Sequence, residues 1–166
     1  MEHSERLELF ENIRAHYLVF LTSVLWKLAG DKELFTEAMQ YCLLGIWQHI
    51  EKLKGENAGG YVYRIALTSN SRAWRNRIGR DGHISTGGAG AENAPEENLG
   101  RSELAIVIRR EISKLPLKQC RAIVMRYVEG QDYQVIARSL RCTEAGARSH
   151  VSRALATLKN KLAASA

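Results

Sequence analysis

The stretch DYQVIARSLRCTEAGARSHVSRALATLKNKL, residues 132–162, decides the fold that this sequence predicts. Apolar residues recur in it at spacings of three and four, in two consecutive runs. The runs are Tyr133, Ile136, Ala137 and Leu140, then Ala147, Val151, Leu155, Leu158 and Leu162. Asp132 and Thr143 stand just before the runs and can cap the first backbone N–H groups of a helix. We therefore predict a short helix, a tight turn and a longer helix.

The outward face of the longer helix carries small and basic groups. Its members are Glu144, Arg148, Ser149, Ser152 and Arg153. A helix with so few bulky groups on one face can enter the major groove, as the second helix of a helix-turn-helix does. An ordinary helical hairpin with a solvated face has the same composition, so this stretch alone leaves both interpretations open.

Length and composition narrow the class of protein. A chain of 166 residues with 45% hydrophobic residues suits one large or two small domains with real cores. No apolar run reaches membrane-spanning length, and the glutamate-rich amino end lacks the pattern of a signal peptide. We therefore expect a cytoplasmic protein without membrane insertion. Cys42, Cys120 and Cys142 lie far apart without a CxxC pattern, which predicts buried thiols and neither a disulfide framework nor a metal site.

Positive charge is concentrated in two blocks. Residues 61–80 hold five Lys or Arg and no acid, and residues 101–166 hold thirteen against five acids. Residues 1–60 and 81–100 are net acidic. Lysines and arginines that merely solvate helices would be spread evenly, whereas two separate blocks favour two contacts with one polyanion.

Helical periodicity extends over most of the remaining chain. It predicts helices at about residues 4–28, 32–53, 61–78, 104–115 and 116–128, in addition to the two described above. Residues 80–100 are rich in Gly, Ala, Asn and acid, which predicts a flexible linker. The expected fold is all-α, with an N-terminal domain at 1–79 and a helix-turn-helix domain at 101–166.

The third predicted helix combines aromatic residues with arginines. They are Tyr61, Tyr63, Arg64, Arg72, Trp74, Arg75 and Arg77. This composition is typical of a surface that holds phosphates and stacks unpaired bases. In the alternative interpretation, Trp74 and the tyrosines belong to the core of a small bundle.

Both halves of the chain resemble one family, the bacterial RNA polymerase sigma factors of the extracytoplasmic-function group. In the second half the resemblance rests on Leu115-Pro116, Arg121, residues 126–130 (RYVEG), Tyr133, Ile136-Ala137, Leu140, Arg148-Ser149, Arg153-Ala154 and Leu158. In the first half, Glu37, Gln40 and Trp47 fall at the spacings of the helix that docks on the polymerase clamp in that family. Residues 61–66, YVYRIA, are similar to its aromatic-Leu-Tyr-Arg-Ile-Ala run.

The resemblance implies a sigma factor that binds core RNA polymerase, directs it to promoters and promotes DNA melting. It implies polymerase contacts at Glu37, Gln40 and Trp47. It implies minus-ten contacts at Tyr61, Arg64, Arg72, Trp74, Arg75 and Arg77. It implies minus-thirty-five contacts at Thr143, Glu144, Arg148, Ser149, Ser152 and Arg153. The expected partners are core polymerase, promoter DNA and an anti-sigma factor, with no cofactor and no enzymatic activity.

The sequence departs from the family pattern in the first half. The usual Asp-Ala-Glu-Asp start reads LFTE at residues 34–37, beginning with Leu34, and the usual Trp is Tyr61. The family's Asn and Asp further along the third helix align with Thr68 and Arg72. These positions bear on which minus-ten bases are bound and on how well melting proceeds.

Three other classes account for less of the sequence. A one-component regulator explains the helix-turn-helix but gives the aromatic and basic third helix no role. An adaptor that binds polymerase without contacting DNA leaves the basic recognition face unexplained. An enzyme is the weakest hypothesis, because we find no nucleophile–base pair, metal-ligand spacing or phosphate loop, and the five histidines are scattered.

Overall fold

The structure is a computed structural model that describes residues 2–81 and 96–165, with side chains described from residue 103 in the second stretch. The helices are α1 (His3–Ala29), α2 (Lys32–Gln48), α3 (Ala58–Asp81), α4 (Glu96–Ser113), α5 (Leu117–Ile123), α6 (Tyr133–Leu140) and α7 (Glu144–Ser165). No strand occurs within these two stretches, which confirms the all-α prediction. The predicted linker lies mainly outside the described residues, although α3 and α4 extend into its two ends.

Helices α1 to α3 form a first bundle. Gly30 ends α1 in a left-handed conformation, φ 83°, and its N–H bonds to the carbonyl of Trp26. Asp31 then caps α2, because its carboxylate accepts from the N–H of Leu34 at 2.9 Å. The core of this bundle includes Leu21, Leu25, Leu34, Ile46, Val62 and Ala66.

The second helix is shorter than predicted. It ends at Gln48, and residues Ile50–Lys54 form a 3₁₀ turn instead of continuing to Leu53. In a 3₁₀ turn, residues three apart lie on the same side. The tighter winding therefore brings both Ile50 and Leu53 into the core, where both are buried.

Helices α4 to α7 form a second bundle. Pro116 precedes α5, and the end of α5 widens into a π-helical turn, Val124–Val128, closed by a bond from the N–H of Glu129 to the carbonyl of Val124. The inward stripe of α7 differs from the predicted one at two positions, because Leu155 is exposed and Leu162 is only half-buried. Leu155 is 41% exposed, and the buried positions are Ala147, Val151, Ala154 and Leu158. A spacing of exactly four drifts around a helix with 3.6 residues per turn, which explains why Ala154 replaces Leu155.

The two bundles share part of one core. Val24, Leu28, Tyr63 and Leu67 of the first bundle pack in the same apolar cluster as Ile112, Leu115 and the inward residues of α5 to α7. The first bundle therefore contributes two of its helices, α1 and α3, to a contact with the second.

Candidate nucleic-acid interface

Local caps hold the starts of α6 and α7. Asp132 accepts from the N–H of Val135 at 3.0 Å, and the Thr143 hydroxyl accepts from the N–H of Gly146 at 3.1 Å. Between the helices, Arg141 has φ 53°, and the N–H of Cys142 bonds to the carbonyl of Ala137. This left-handed turn ends α6 just before Thr143, which caps α7.

The predicted recognition face lies opposite the buried stripe. Arg148, Ser152 and Arg153 are exposed, and Ser149 is half-buried. Ala147 and Val151, on the inward side, are buried. The face offers two long guanidinium groups with small residues between them, so a duplex can approach the helix closely.

Arg148 is oriented by two neighbours. Glu144 accepts from its Nη2 at 3.3 Å, and its guanidinium carbon lies 5.1 Å from the centre of the Tyr133 ring. The same ring lies 4.7 Å from the guanidinium carbon of Arg126, which also donates to the carbonyl of Gln131. Sequence reasoning missed Arg126 because its position depends on the π-helical turn, which apolar spacing does not reveal.

The third helix presents fewer free groups than predicted. Arg64 and Arg75 are exposed, and Arg72 is exposed with its guanidinium carbon 4.1 Å from the centre of the Tyr41 ring. Tyr61 is half-buried, with the Lys52 ammonium 5.9 Å from the centre of its ring. These four side chains remain accessible to a strand of DNA.

The prediction that Trp74 lies on this surface is wrong. Trp74 is 3% exposed, and its indole N–H donates to the carbonyl of Leu28 at 3.2 Å. It packs as a core residue of the first bundle, so it is not available to stack on a base in this structure. Tyr63 is also buried. The alternative that placed the aromatic residues in the core therefore holds for these two, whereas Tyr61 is half-buried and packs against the edge of the core.

Arg77 has acidic neighbours that the sequence did not reveal. Its Nη2 lies 3.2 Å from Asp31 Oδ1 and 3.4 Å from Glu33 Oε2, across the packed faces of α2 and α3. Burial opposes ionisation of Asp31, but the hydrogen bonds from Arg77 and from the Leu34 N–H outweigh it, so the pKa of Asp31 lies below its usual range. Arg77 stabilises the cap of α2 through its ion pair with Asp31, so it is not a free cation.

A groove of about 490 Å³ runs between α2 and α3. Its lining includes Tyr41, Gln48, Lys52, Tyr61, Arg64 and Arg72. Gly45 allows the two helices to come close, because a Cβ on it would lie 2.9 Å from the side chain of Ile65. Aromatic rings beside cations in one groove suit an unpaired base and its phosphates.

Comparison with known proteins identifies the family of this chain. The model of Sigma-70 region 2 matches residues 13–78, and the model of Sigma-70, region 4 matches residues 105–158. An ECF RNA polymerase sigma-E factor of Haemophilus influenzae is 27% identical, over 76% of this chain and 73% of that protein. The chain belongs to the ECF sigma factors. An ECF sigma factor is a DNA-binding protein of transcription initiation, and this one carries its region 2 match on α1 to α3 and its region 4 match on α4 to α7.

The residues predicted to bind polymerase do not form one cluster in this sigma factor. Glu37 accepts from Asn76 at 2.8 Å and from Arg80 at 2.9 Å, and it lines a shallow pocket together with the exposed Gln40. Trp47 lies towards the other end of α2, where its ring centre is 5.5 Å from that of Phe10. Burial opposes ionisation of Glu37, but bonds from Asn76 and Arg80 outweigh it and lower its pKa.

The departures from the family pattern have identifiable surroundings. Leu34 is fully buried in the first turn of α2. Thr68 is exposed, and its hydroxyl donates to the carbonyl of Arg64. Tyr61 and Arg72 both line the groove. Tyr61, Thr68 and Arg72 therefore lie on the side of α2 and α3 that faces solvent. There they change which side chains a ligand would contact more than they change the packing of the bundle.

The described part of the sigma factor has neither a membrane-spanning helix nor a grouped set of metal ligands. Among residues 2–81 and 96–165, no helix combines the length and apolarity needed to cross a membrane. Among the side chains that the structure describes, no three His, Cys, Asp or Glu residues are grouped as a metal site would require. Cys42 and Cys120 are buried, and burial raises the pKa of each thiol to about 12.

Proposed function

We propose that this sigma factor binds core RNA polymerase, holds the minus-ten element through region 2 and the minus-thirty-five element through region 4, and promotes DNA melting. The observation that carries the proposal is the pairing of an exposed basic face on α7 with a separate aromatic and basic groove between α2 and α3. A duplex and an unpaired strand require different surfaces, and this chain has one of each.

At the minus-thirty-five element, α7 would lie in the major groove. Arg148, held by Glu144 and Tyr133, can present both of its terminal nitrogens to a guanine edge, a contact worth about 1 to 3 kcal/mol of discrimination. Arg153 and Ser152 can bond to bases or phosphates. Thr143 lies at the helix N-terminus, where backbone N–H groups favour a phosphate.

At the minus-ten element, the groove between α2 and α3 would hold bases of the opened strand. Extruding a base costs a few kcal/mol, and stacking on an aromatic ring returns about 1 to 3 kcal/mol per base. Tyr61 is a half-buried ring at this groove, and Arg64, Arg72 and Arg75 supply positive charge along α3. Trp74 and Arg77 would act indirectly, by maintaining the bundle that positions them.

For the polymerase contact we propose Gln40 and Glu37, which line one shallow pocket on α2, with Trp47 as a separate contact. Because core polymerase and promoters are found in the bacterial cytoplasm, we propose that location for the protein. By family likeness we also propose an anti-sigma factor as a regulatory partner. The role is one of binding and positioning, without a catalytic residue of its own.

The test is transcription by core polymerase on a two-element promoter, with and without this protein. We expect a specific transcript only when the protein is present. Replacing Arg148 and Arg153 by Ala should abolish promoter selection but leave co-purification with core intact, whereas the matched control Lys159→Ala/Lys161→Ala should retain both. Core binding without any specific transcript from the wild type would favour an adaptor. Specific DNA binding without core binding would favour a one-component regulator.

A further inference from the structure

A basic cleft lies between the first turn of α3 and helices α5 and α6. Its volume is about 740 Å³, within the range of about 300 to 1,000 Å³ that is typical of small-ligand sites. Five cations line this basic cleft: Arg64, Lys118, Arg121, Arg138 and Arg141. Among its described lining residues, Glu56 is the only acid. Five cations less one acid leave the lining with a net charge of +4.

The five cations of the basic cleft lack acidic partners. Among the side chains that the structure describes, none of the five forms an ion pair with Asp or Glu. Arg77 and Arg80 of the same protein, in contrast, each pair with acids of α2. Like charges repel more strongly in a cleft than on an open surface, because less water screens them. A bound anion would remove this repulsion.

Arg121 is the half-buried member of the five. Its Nη2 donates to the Ser139 hydroxyl at 2.6 Å, but its Nε is buried and has no hydrogen-bond partner among the described residues. Burial lowers the pKa of Arg121, and Tyr63 and Glu129 offset this effect only in part. A buried cationic donor without an acceptor is costly, so Arg121 would be stabilised by an anionic ligand.

The first turn of α3 adds positive potential beside Arg121. Gly59 and Gly60 lie in this turn, where backbone N–H groups have no partner within the helix and the helix dipole favours an anion. A Cβ on Gly60 would lie 3.4 Å from Arg121 Nη2, and a Cβ on Gly59 would lie 3.3 Å from the Tyr17 hydroxyl. The two glycines therefore allow Arg121 and Tyr17 to approach the positive end of the helix. A cation in that place is favourable when an anion is shared between the two.

Two tyrosine rings and the net charge indicate the class of anion. Tyr17 and Tyr61 line the basic cleft and are half-buried, and aromatic rings stack on nucleic bases without regard to their identity. One phosphate carries at most about two negative charges. Balancing the lining charge of +4 therefore takes at least two phosphates. A base joined to two phosphates meets both requirements.

We propose that the basic cleft binds a nucleoside diphosphate. Its phosphates accept hydrogen bonds from Arg121 and from the first-turn N–H groups of Gly59 and Gly60. Its base stacks on Tyr61. Because Tyr61 and Arg64 also line the groove between α2 and α3, the bound nucleotide occupies part of the proposed minus-ten surface and inhibits strand opening. This inhibition rests on the proposed function, whereas nucleotide binding by the free chain does not.

The binding test is calorimetric titration of the full chain with ADP, with inorganic pyrophosphate and adenosine as separate probes of the two halves of the ligand. Lys118→Gln/Arg138→Gln removes two exposed cations of the basic cleft. Lys159→Gln/Lys161→Gln removes two exposed cations outside it and is the matched control for charge. Arg121→Gln removes the enclosed cation. The exposed pair keeps the test decisive if Arg121→Gln does not fold.

We expect the wild type to bind ADP at least about ten-fold more tightly than pyrophosphate or adenosine. Lys118→Gln/Arg138→Gln should weaken ADP binding about ten-fold with an unchanged circular dichroism spectrum, and the control should stay within about two-fold of the wild type. No binding of ADP, equal binding of ADP and pyrophosphate, or an equal loss in the control would overturn the nucleotide site. So would an equal loss of single-stranded oligonucleotide binding in Lys118→Gln/Arg138→Gln, because the basic cleft would then belong to DNA.

The regulatory consequence is measured by permanganate reactivity of a two-element promoter with core polymerase. ADP cannot be polymerised, so it can be added without starting RNA synthesis. We expect ADP to lower the reactivity obtained with the wild type and to have much less effect with Lys118→Gln/Arg138→Gln. Equal inhibition of both proteins would refute inhibition through the basic cleft. Normal ADP binding by a wild type that gives no open complex even without ADP would instead overturn the proposed function.

Discussion

Arg75 and Arg77 show how much two similar residues on one helix can differ. Both lie near the end of α3, yet Arg75 is exposed and Arg77 is bonded to Asp31 and Glu33. Sequence reasoning treated them alike because the acids are more than 40 positions away. The same limit applied to Trp74, whose bond to the Leu28 carbonyl is a contact between separate helices. Composition predicted the kind of surface but not which of its members are buried.

Because only Arg77 has acidic partners, alanine variants of Arg77 and Arg75 should affect different properties, namely stability and strand opening. Arg77→Ala should lower the free energy of unfolding by about 1 kcal/mol, because the cap of α2 loses a half-buried partner. Arg75→Ala should change stability by less than about 0.5 kcal/mol but reduce permanganate reactivity of the opened strand. Urea denaturation and open-complex footprinting measure the two effects. Equal stability losses would mean that Arg75 also has a structural partner.

Arg148 carries the second prediction at this scale. Arg148→Ala should cost about 1 to 3 kcal/mol at the upstream element and relax preference at one base position. Arg148→Lys should restore little of that preference, since an ammonium cannot form the bidentate contact. Binding of the holoenzyme to a library of upstream sequences measures both. A uniform loss on all sequences, with the salt slope reduced by about one, would identify a phosphate contact instead.

At the scale of elements, the helices could be predicted, but the turns that follow α2 and α5 could not. Apolar spacing located the seven helices found in residues 2–81 and 96–165, and the predicted caps at Asp132 and Thr143 form. The 3₁₀ turn after α2 and the π-helical turn after α5 were missed, because neither follows the apolar spacing of an α-helix, although both bury residues in a bundle core. The recognition face follows from the buried stripe of α7, so it was predictable, but the ring of Tyr133 beneath Arg148 was not.

The buried stripe of α7 predicts that two aspartate substitutions on this helix differ in their effect on folding. Val151→Asp should unfold the second bundle, because it places an unpaired carboxylate where the side chain is 2% exposed. Leu155→Asp, at a position that is 41% exposed, should remain folded. Thermal unfolding followed by circular dichroism distinguishes them. Comparable melting of both variants would show that Leu155 packs inward, as its spacing first suggested.

At the scale of the whole molecule, acid should weaken the fold. Burial disfavours the charged form of Glu111, but bonds from Lys114 and Arg110 outweigh it and lower its pKa, as happens at Asp31 and Glu37. These groups contribute stability fully above their unfolded pKa values, about 4, and lose it as pH falls through the lower folded values. Burial raises the pKa of Glu129, so its contribution has the opposite sign and is lost as pH rises through its folded value.

The acid dependence can be tested with urea midpoints measured between pH 3 and pH 7. We expect the wild-type midpoint to fall steeply below about pH 4.5, and Asp31→Asn/Glu111→Gln to flatten that fall. Glu51→Gln, at an exposed position, serves as the control and should follow the wild type. Identical slopes in the wild type and the double variant would refute the assignment of the acid response to these carboxylates.

The core shared by the two bundles also has a consequence for synthesis on the ribosome. Leu67 is translated about 90 residues before Leu158, with which it shares an apolar cluster. At about 5 to 20 residues per second, the ribosome needs roughly 5 to 20 s to make that stretch. During this interval a newly folded first bundle would expose Val24, Leu28 and Leu67 without their covering partner, and we expect such an apolar patch to attract chaperones. The delay ends only when the last turns of α7 emerge from the exit tunnel.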